Sequence, residues 1–173
     1  ILVGFIILFI VIYILIFCYY KFFCNHIELK IGKVDLNVKV GNLFKEDGIK
    51  VIPVNEYFDT QVDDVIISQT SLHGMYVKEY LKYNDLRSLN SKIEECLAGY
   101  KYEENANRLE GKTKKYAIGT TININEYILT ALTKFNDKNE AYLSMQEYLK
   151  FLNDFWNEIN RIHNGRVINV PII

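Results

Sequence analysis

The 173-residue sequence predicts an N-terminal transmembrane helix followed by an α/β sandwich with a mixed central sheet. Three observations support this fold class. The first twenty residues carry no charged side chain, strand-like and helix-like segments alternate along the rest of the chain, and two strand-like segments are apolar without alternation. Strands that lie before, between and after helices are typical of α/β folds, and a continuously apolar strand is typical of one covered on both faces.

The N-terminal segment, residues 1–20, lacks Asp, Glu, Lys, Arg, Asn, Gln and His. About twenty helical residues cross a hydrocarbon core of about 30 Å. A signal peptide would have a shorter apolar region, and a core helix is rarely apolar on every face, so we expect a membrane span over residues 1–23. Lys21, Lys30 and Lys33 follow it, and the positive-inside rule then places the remaining chain in the cytoplasm, at the cell membrane.

Residues 24–173 are predicted to form one domain. All 20 basic and 21 acidic residues follow the apolar segment, so this part is nearly neutral and has no electrostatic footprint for nucleic acid. The three cysteines include no C-x-x-C pair, which suits a reducing compartment and argues against a disulfide framework.

A β-hairpin is expected directly after the apolar segment. Residues 27–31 and 34–40 are apolar at every second position, which is typical of strands with one wet face. Gly32-Lys33 between them is a tight-turn candidate.

Two later segments predict covered strands in the centre of the sheet. Residues 48–55, GIKVIPVN, and 167–173, VINVPII, are apolar with little alternation. Pro53 should lie near the end of its strand, because proline cannot donate to the ladder. Residues 62–68 fit either a short extended piece or a helical turn.

Helical spacing of apolar residues predicts four helices, over residues 75–81, 84–99, 126–135 and 139–163. A β-branched strand is expected over residues 116–124.

The last of these helices has the clearest apolar stripe. Asp137 is its candidate N-cap, Gly165 its stop signal, and Trp156 a predicted core anchor.

Candidate binding residues lie in two polar segments. Asn55 and Asp59 stand just past the carboxyl end of a covered strand, where ligands bind in open α/β sheets. The alternative is that both are turn formers that close a loop. Ser71, His73 and Gly74 lead into a helix, whose free amides would form an anion site, and an ordinary N-cap by Ser71 is compatible with that interpretation.

Catalytic signatures are absent from the sequence. It contains no Gly-rich phosphate motif, no nucleophile-elbow motif and no Cys/His cluster. We therefore predict no catalytic residue, no bound metal and no cofactor.

The order of these segments resembles a known family. VIPVNEYFD, SLHG, KKYAIGTT and VINVPII are similar to the membrane-anchored macro domain proteins of type II Thoeris anti-phage defence systems. The resemblance implies a divergent macro domain, a three-layer α/β/α sandwich around a mixed sheet, incomplete at its C-terminus. It also implies a sensor and effector that binds an ADP-ribose derivative, of which a histidine conjugate of ADP-ribose is one form. A TIR-domain partner would make this signal from NAD, and the protein would then form a homo-oligomer and act on the lipid bilayer.

The resemblance also implies roles for the first polar residues of the domain. Asn42 stands where macro domains have the side chain that meets the adenine amino group. Asn55 matches the residue beside the distal ribose, and Asp59 follows in the same motif.

Further along the chain, Ser71 to Gly74 stands at the position of a phosphate-binding glycine run, which this sequence lacks. Gly119 and Thr120 match a strand that borders the ligand cleft, and Pro171 precedes the position of a second phosphate loop.

Two alternative functions remain open. An ADP-ribosyl hydrolase tethered to the membrane would use Asn55, Asp59 or His73, although no activated nucleophile supports an enzyme. An interaction domain that binds no nucleotide is the other alternative.

Overall fold

The computed structural model describes residues 2–23, 26–136 and 138–172. They belong to two compact units, Ile1–Asn42 and Leu43–Ile173. The predicted N-cap Asp137 lies outside the described residues.

The first unit contains a helix and the predicted hairpin. Helix α1 spans Leu2–Phe23, and strands β1 (His26–Ile31) and β2 (Val34–Lys39) pair antiparallel. Gly32 adopts a φ of 64° in the turn, a left-handed conformation that glycine accepts without steric cost. The hairpin prediction is therefore confirmed, and the side chains of both strands are exposed.

The prediction of an N-terminal transmembrane helix is wrong. Among the residues that the structure describes, no helix combines the length and the apolarity that a membrane crossing requires. The cell-membrane location stays a prediction.

The second unit is built around a mixed sheet. Its elements are a 3₁₀ turn (Leu43–Lys45), β3 (Ile49–Asn55), α2 (Leu72–Leu81), α3 (Leu86–Leu97), β4 (Tyr102–Glu104), β5 (Lys114–Tyr116), β6 (Thr121–Ile124), β7 (Tyr127–Phe135), β8 (Ala141–Tyr142), α4 (Met145–Ile162) and β9 (Ile168–Asn169). The strand order is β6-β7-β3-β9, with β8 also paired to β7. Strands β7 and β9 run parallel to β3, whereas β6 and β8 run antiparallel to β7.

Helices cover both faces of this sheet, as the α/β/α prediction requires. The core beneath α2 and α3 includes Ile52, Val54, Tyr76, Leu89 and Ile93. The core beneath α4 includes Ile49, Val51, Ile128, Phe151 and Phe155. Because successive strand residues point to opposite faces, β3 supplies both cores, which explains its continuously apolar sequence.

The helix predicted over residues 126–135 is a strand. This segment forms β7, which pairs with β3 from Lys50 opposite Tyr127 to Val54 opposite Ala131. A short apolar run does not distinguish a buried strand from a buried helix by periodicity. The tertiary contacts decide, because neighbouring residues of β7 fill the cores on both sides of the sheet.

Two strand predictions are also corrected. The strand expected over residues 116–124 is interrupted, because Gly119 turns the chain with a φ of 90° between β5 and β6. The strand expected over residues 167–173 is short. It lies at one end of the described strand order, whereas a central position was predicted. Of residues 62–68, residues 63–67 form bends, in which the Asp63 carboxylate accepts hydrogen bonds from the backbone of Val65 and Ile66.

The C-terminal helix begins later than predicted. Ser144 caps α4 and forms a capping box with Glu147, so the helix starts at Met145. Trp156 is 51% exposed, which contradicts its predicted role as a core anchor. Phe151 and Phe155, on the apolar stripe of α4, are buried instead.

Candidate functional site

The carboxyl ends of the parallel strands β3 and β7 lie side by side. The Glu56 amide, just past β3, donates to the Thr133 carbonyl at 2.9 Å. The segment between β5 and β6 joins this edge, because the Gly119 amide donates to the Ala131 carbonyl at 2.8 Å. The predicted site residues Asn55 and Gly119 are therefore at the sheet edge where open α/β folds bind ligands.

Asn55 closes the loop that follows β3. Its Oδ1 accepts hydrogen bonds from the amides of Tyr57 and Asp59 at 3.2 and 3.3 Å. Its Nδ2 donates to Asp59 Oδ2 at 3.0 Å. Both Asn55 and Asp59 are buried. They therefore form the turn that the sequence left open as an alternative. A contact between Asn55 and a ligand stays a prediction.

Asp59 forms a buried ion pair with Arg108. The guanidinium donates to both carboxylate oxygens, at 3.2 Å from Nη1 and 2.7 Å from Nη2. The two side chains are only 1% and 2% exposed. The Lys112 amide also donates to Asp59 Oδ1 at 2.8 Å. These hydrogen bonds offset the cost of removing two charges from water, which is several kcal/mol per ion.

The remaining contacts of Arg108 fix it in one orientation. Its guanidinium lies 3.9 Å from the centre of the Tyr57 ring and donates to the Lys112 carbonyl and to Asn139 Oδ1. A Cβ at Gly111 would stand 2.8 Å from the guanidinium, so only glycine leaves it room. We name Asn55, Asp59 and Arg108 the buried polar cluster.

His73 attaches helix α2 to this cluster. Its Nε2 lies 2.9 Å from the Asp59 carbonyl oxygen, to which the protonated nitrogen donates. Burial lowers the pKa of His73 to about 4, because the protonated ring would have to leave water. The ring is therefore neutral at physiological pH and contributes no positive charge towards a phosphate.

The start of α2 is capped by its own loop. Ser71 Oγ accepts a hydrogen bond from the Gly74 amide at 3.0 Å and donates one to the Ser68 carbonyl at 2.7 Å. A Cβ at Gly74 would stand 2.2 Å from that carbonyl oxygen. Gly74 thus lets the loop approach the helix. Ser71 is an N-cap, and the predicted anion site stays a prediction.

The other predicted site residues of the second unit are Gly119, Thr120 and Pro171. Gly119 is beside Asp154: a Cβ added at Gly119 would stand 3.4 Å from the Cβ of Asp154. Thr120 follows it and is half-buried, and Pro171 is half-buried just after β9. Asn42 belongs to the other compact unit, so its predicted contact with an adenine stays a prediction.

Sequence reasoning missed Arg108, Lys112 and Glu56. Arg108 and Lys112 lie in an irregular polar segment without a motif, and only the fold brings Arg108 to Asp59. Glu56 is fully buried, and its Oε1 accepts the Phe135 amide at 3.0 Å. Burial raises the pKa of the Glu56 carboxyl. The sequence signal for Glu56 was its position directly after the apolar strand β3, which ends at Asn55.

A cavity of about 840 Å³ adjoins the buried polar cluster. It lies between α2, α3 and residues 59–62, with Gly111 and Lys112 completing its wall. This volume falls in the usual range for small-molecule pockets, roughly 300–1,000 Å³.

Comparison with known proteins identifies the family. The family described as Thoeris protein ThsA, Macro domain, matches residues 36–173. This chain belongs to the ThsA macro domain family. It is also 36% identical over 154 residues to Thoeris protein ThsA from Bacillus amyloliquefaciens (strain Y2), an alignment that covers 87% of this chain and 52% of that relative. The chain thus spans about half the length of this relative, and the resemblance of its motifs to a Thoeris macro domain is confirmed.

Proposed function

We propose that this ThsA macro domain is a signal sensor in anti-phage defence and binds an ADP-ribose derivative made by a TIR-domain partner. The observation that carries the proposal is the family match over residues 36–173. The 36% identity to a Thoeris protein supports it independently. A histidine conjugate of ADP-ribose is the first form of the signal to test.

The ligand would lie along the carboxyl edge of the sheet. The buried polar cluster keeps the loop after β3 in one conformation, so little ordering entropy is lost on binding. Because His73 is neutral, the phosphates would rely on backbone amides and on the dipole at the start of α2. Thr120 would offer a hydroxyl from the segment between β5 and β6.

The hydrogen bonds of Asn55 and Asp59 and the pKa of His73 favour a sensor over a hydrolase. Asn55 and Asp59 hold one another and the loop backbone. A general base works best when its pKa is near the operating pH, and the pKa of His73 is about 4. None of the three is poised to activate water.

Isothermal titration calorimetry tests the proposal. The chain is titrated with ADP-ribose, with its histidine conjugate, and with free histidine as a control. We expect saturable heat with the two ADP-ribose compounds and none with histidine. No heat with either compound would refute the sensor, and conversion of the nucleotide over hours would establish the hydrolase instead.

Thr120→Val supplies a matched variant for this titration. The substitution removes a hydroxyl at nearly constant shape, and one hydrogen bond contributes about 0.5–1.5 kcal/mol, so affinity should fall by roughly two- to tenfold. The thermal unfolding midpoint should not change. Asn55→Ala is less informative, because the lost amide also holds Asp59 and the fold would be destabilised.

A further inference from the structure

Helix α4 carries a second apolar stripe beside the one that fills the core. Met145, Leu149, Leu152 and Trp156 follow at steps of four, three and four residues, which places them in one line along the helix. Met145 and Leu149 are 71% and 60% exposed, and Trp156 also faces water, whereas Leu152 is half-buried against the core. We name these four residues the outer stripe. Single exposed apolar residues are normal, but a continuous patch marks a site of interaction.

The side chains on the solvent side of the outer stripe are uncharged amides. Gln146, Asn153 and Asn160 are all exposed, and a spacing of seven keeps them on nearly one face of the helix. Charged residues are depleted from the centres of protein interfaces, where Met and Trp are enriched. The stripe and its flank therefore have the composition of a protein–protein interface.

The charged residues of α4 lie on the side of the helix away from the outer stripe. Each of them belongs to an ion pair: Lys150–Asp154, Arg161–Glu158 and Glu147–Lys134. Helices that lie on a lipid surface are rich in Lys and Arg on the polar face, and nucleic acid requires an excess of positive charge. With two basic and three acidic residues, α4 favours neither partner.

The outer stripe has the same spacing in both directions along the helix, and this symmetry selects a second copy as the partner. Reversing the helix exchanges Met145 with Trp156 and Leu149 with Leu152. In an isologous pair the same patch of each copy meets the other across a two-fold axis, so an antiparallel α4 pair brings these exchanged residues together. The flanking amides both donate and accept hydrogen bonds, so they are also complementary to copies of themselves.

We propose that the outer stripe is a self-association surface, through which α4 packs antiparallel against α4 of a second copy of this chain. Leu149 lies next to the two-fold axis, and Trp156 is shielded at each end of the contact. The 18 residues of α4 extend about 27 Å, so the contact is at the small end of specific interfaces, below about 1,200 Å². The dimer is therefore reversible and forms as the protein concentration rises.

This inference does not depend on the proposed ADP-ribose site. The core beneath α4 lies on the face of the sheet opposite to the core beneath α2 and α3. Failure of ADP-ribose to bind would leave the self-association surface unaffected.

Sedimentation velocity of the full chain over a range of concentrations tests the proposal. Wild type should shift from monomer towards dimer. Leu149→Glu and Leu149→Lys should each weaken association by roughly tenfold or more, because like charges then meet near the axis. An equimolar mixture of the two variants should recover most of the association, since opposite charges meet there. Leu109→Glu, the same substitution at a 95% exposed leucine outside α4, is the control and should change nothing.

The single tryptophan gives a second measurement at the contact itself. Acrylamide quenching of Trp156 should weaken as wild type is concentrated and should stay constant for Leu149→Glu. Met145→Glu, at the most exposed position of the stripe, should act in the same direction with an unchanged thermal midpoint.

Three results would overturn the proposal. Wild type that stays monomeric at every concentration has no such surface. A dimer that Leu149→Glu leaves intact has its contact elsewhere in the chain. Association lost in both Leu149 variants without recovery in their mixture would show that a different segment or partner covers the stripe.

Discussion

Arg108→Met should leave the Asp59 carboxylate buried without its cation. Two hydrogen bonds to a charged group are lost, each of about 1.5–3 kcal/mol. The carboxylate keeps its bonds from Asn55 and from the Lys112 amide, which offset part of the loss. Methionine also preserves much of the packing on Tyr57. We therefore expect a loss of about 3–5 kcal/mol, the range for broken buried ion pairs.

Urea unfolding measures this loss. Trp156 is the single tryptophan of the chain and reports on α4, which packs against the central sheet. A loss of about 3–5 kcal/mol is a large share of the roughly 5–15 kcal/mol available to a domain, so the midpoint should fall steeply at unchanged slope. Asp59→Asn in the Arg108→Met background removes the stranded charge and should recover part of the stability.

A surface ion pair provides the control. Arg161 pairs with Glu158 on the exposed face of α4, and Arg161→Met should cost less than about 1 kcal/mol. If Arg108→Met costs no more than Arg161→Met, the buried ion pair does not stabilise the loop after β3, and our account of the cluster is refuted.

Three further predictions concern single residues of the same unit. His73 has a folded pKa of about 4, below its unfolded value of 6.5, so its contribution to stability is complete above pH 6.5. About 3 kcal/mol is lost as the pH falls from 6.5 to 4, and His73→Gln should flatten that part of a urea-midpoint profile. Gly74→Ala places a Cβ 2.2 Å from a backbone oxygen and should lower the thermal midpoint by several degrees, whereas Gly99→Ala, which meets open space, should leave it nearly unchanged. Ser144→Ala removes a capping box and should cost about 1 kcal/mol in urea unfolding, and equal stability of variant and wild type would contradict the assigned cap.

The mutual position of the site residues was only partly predictable. Asn55 and Asp59 are four residues apart, so their shared loop follows from the sequence. His73 reaches the Asp59 carbonyl from another element, and Arg108 reaches the carboxylate from 49 positions away. Contacts of this kind leave no periodic signal, because they depend on how loops return across the sheet.

The sequence by itself determined the features that depend on residues close to one another along the chain. The alternation of residues 27–31 and the glycine at 32 specify a hairpin, the stripes of α2 and α3 specify helices, and the motif order identifies the family. Only the tertiary structure decided that residues 127–135 are a strand, that Trp156 faces water, and that Asn55 supports a loop. Each of these depends on burial against residues that are distant in the chain. A short apolar segment can be buried as a helix or as a strand, and its neighbours in the fold decide which of the two forms.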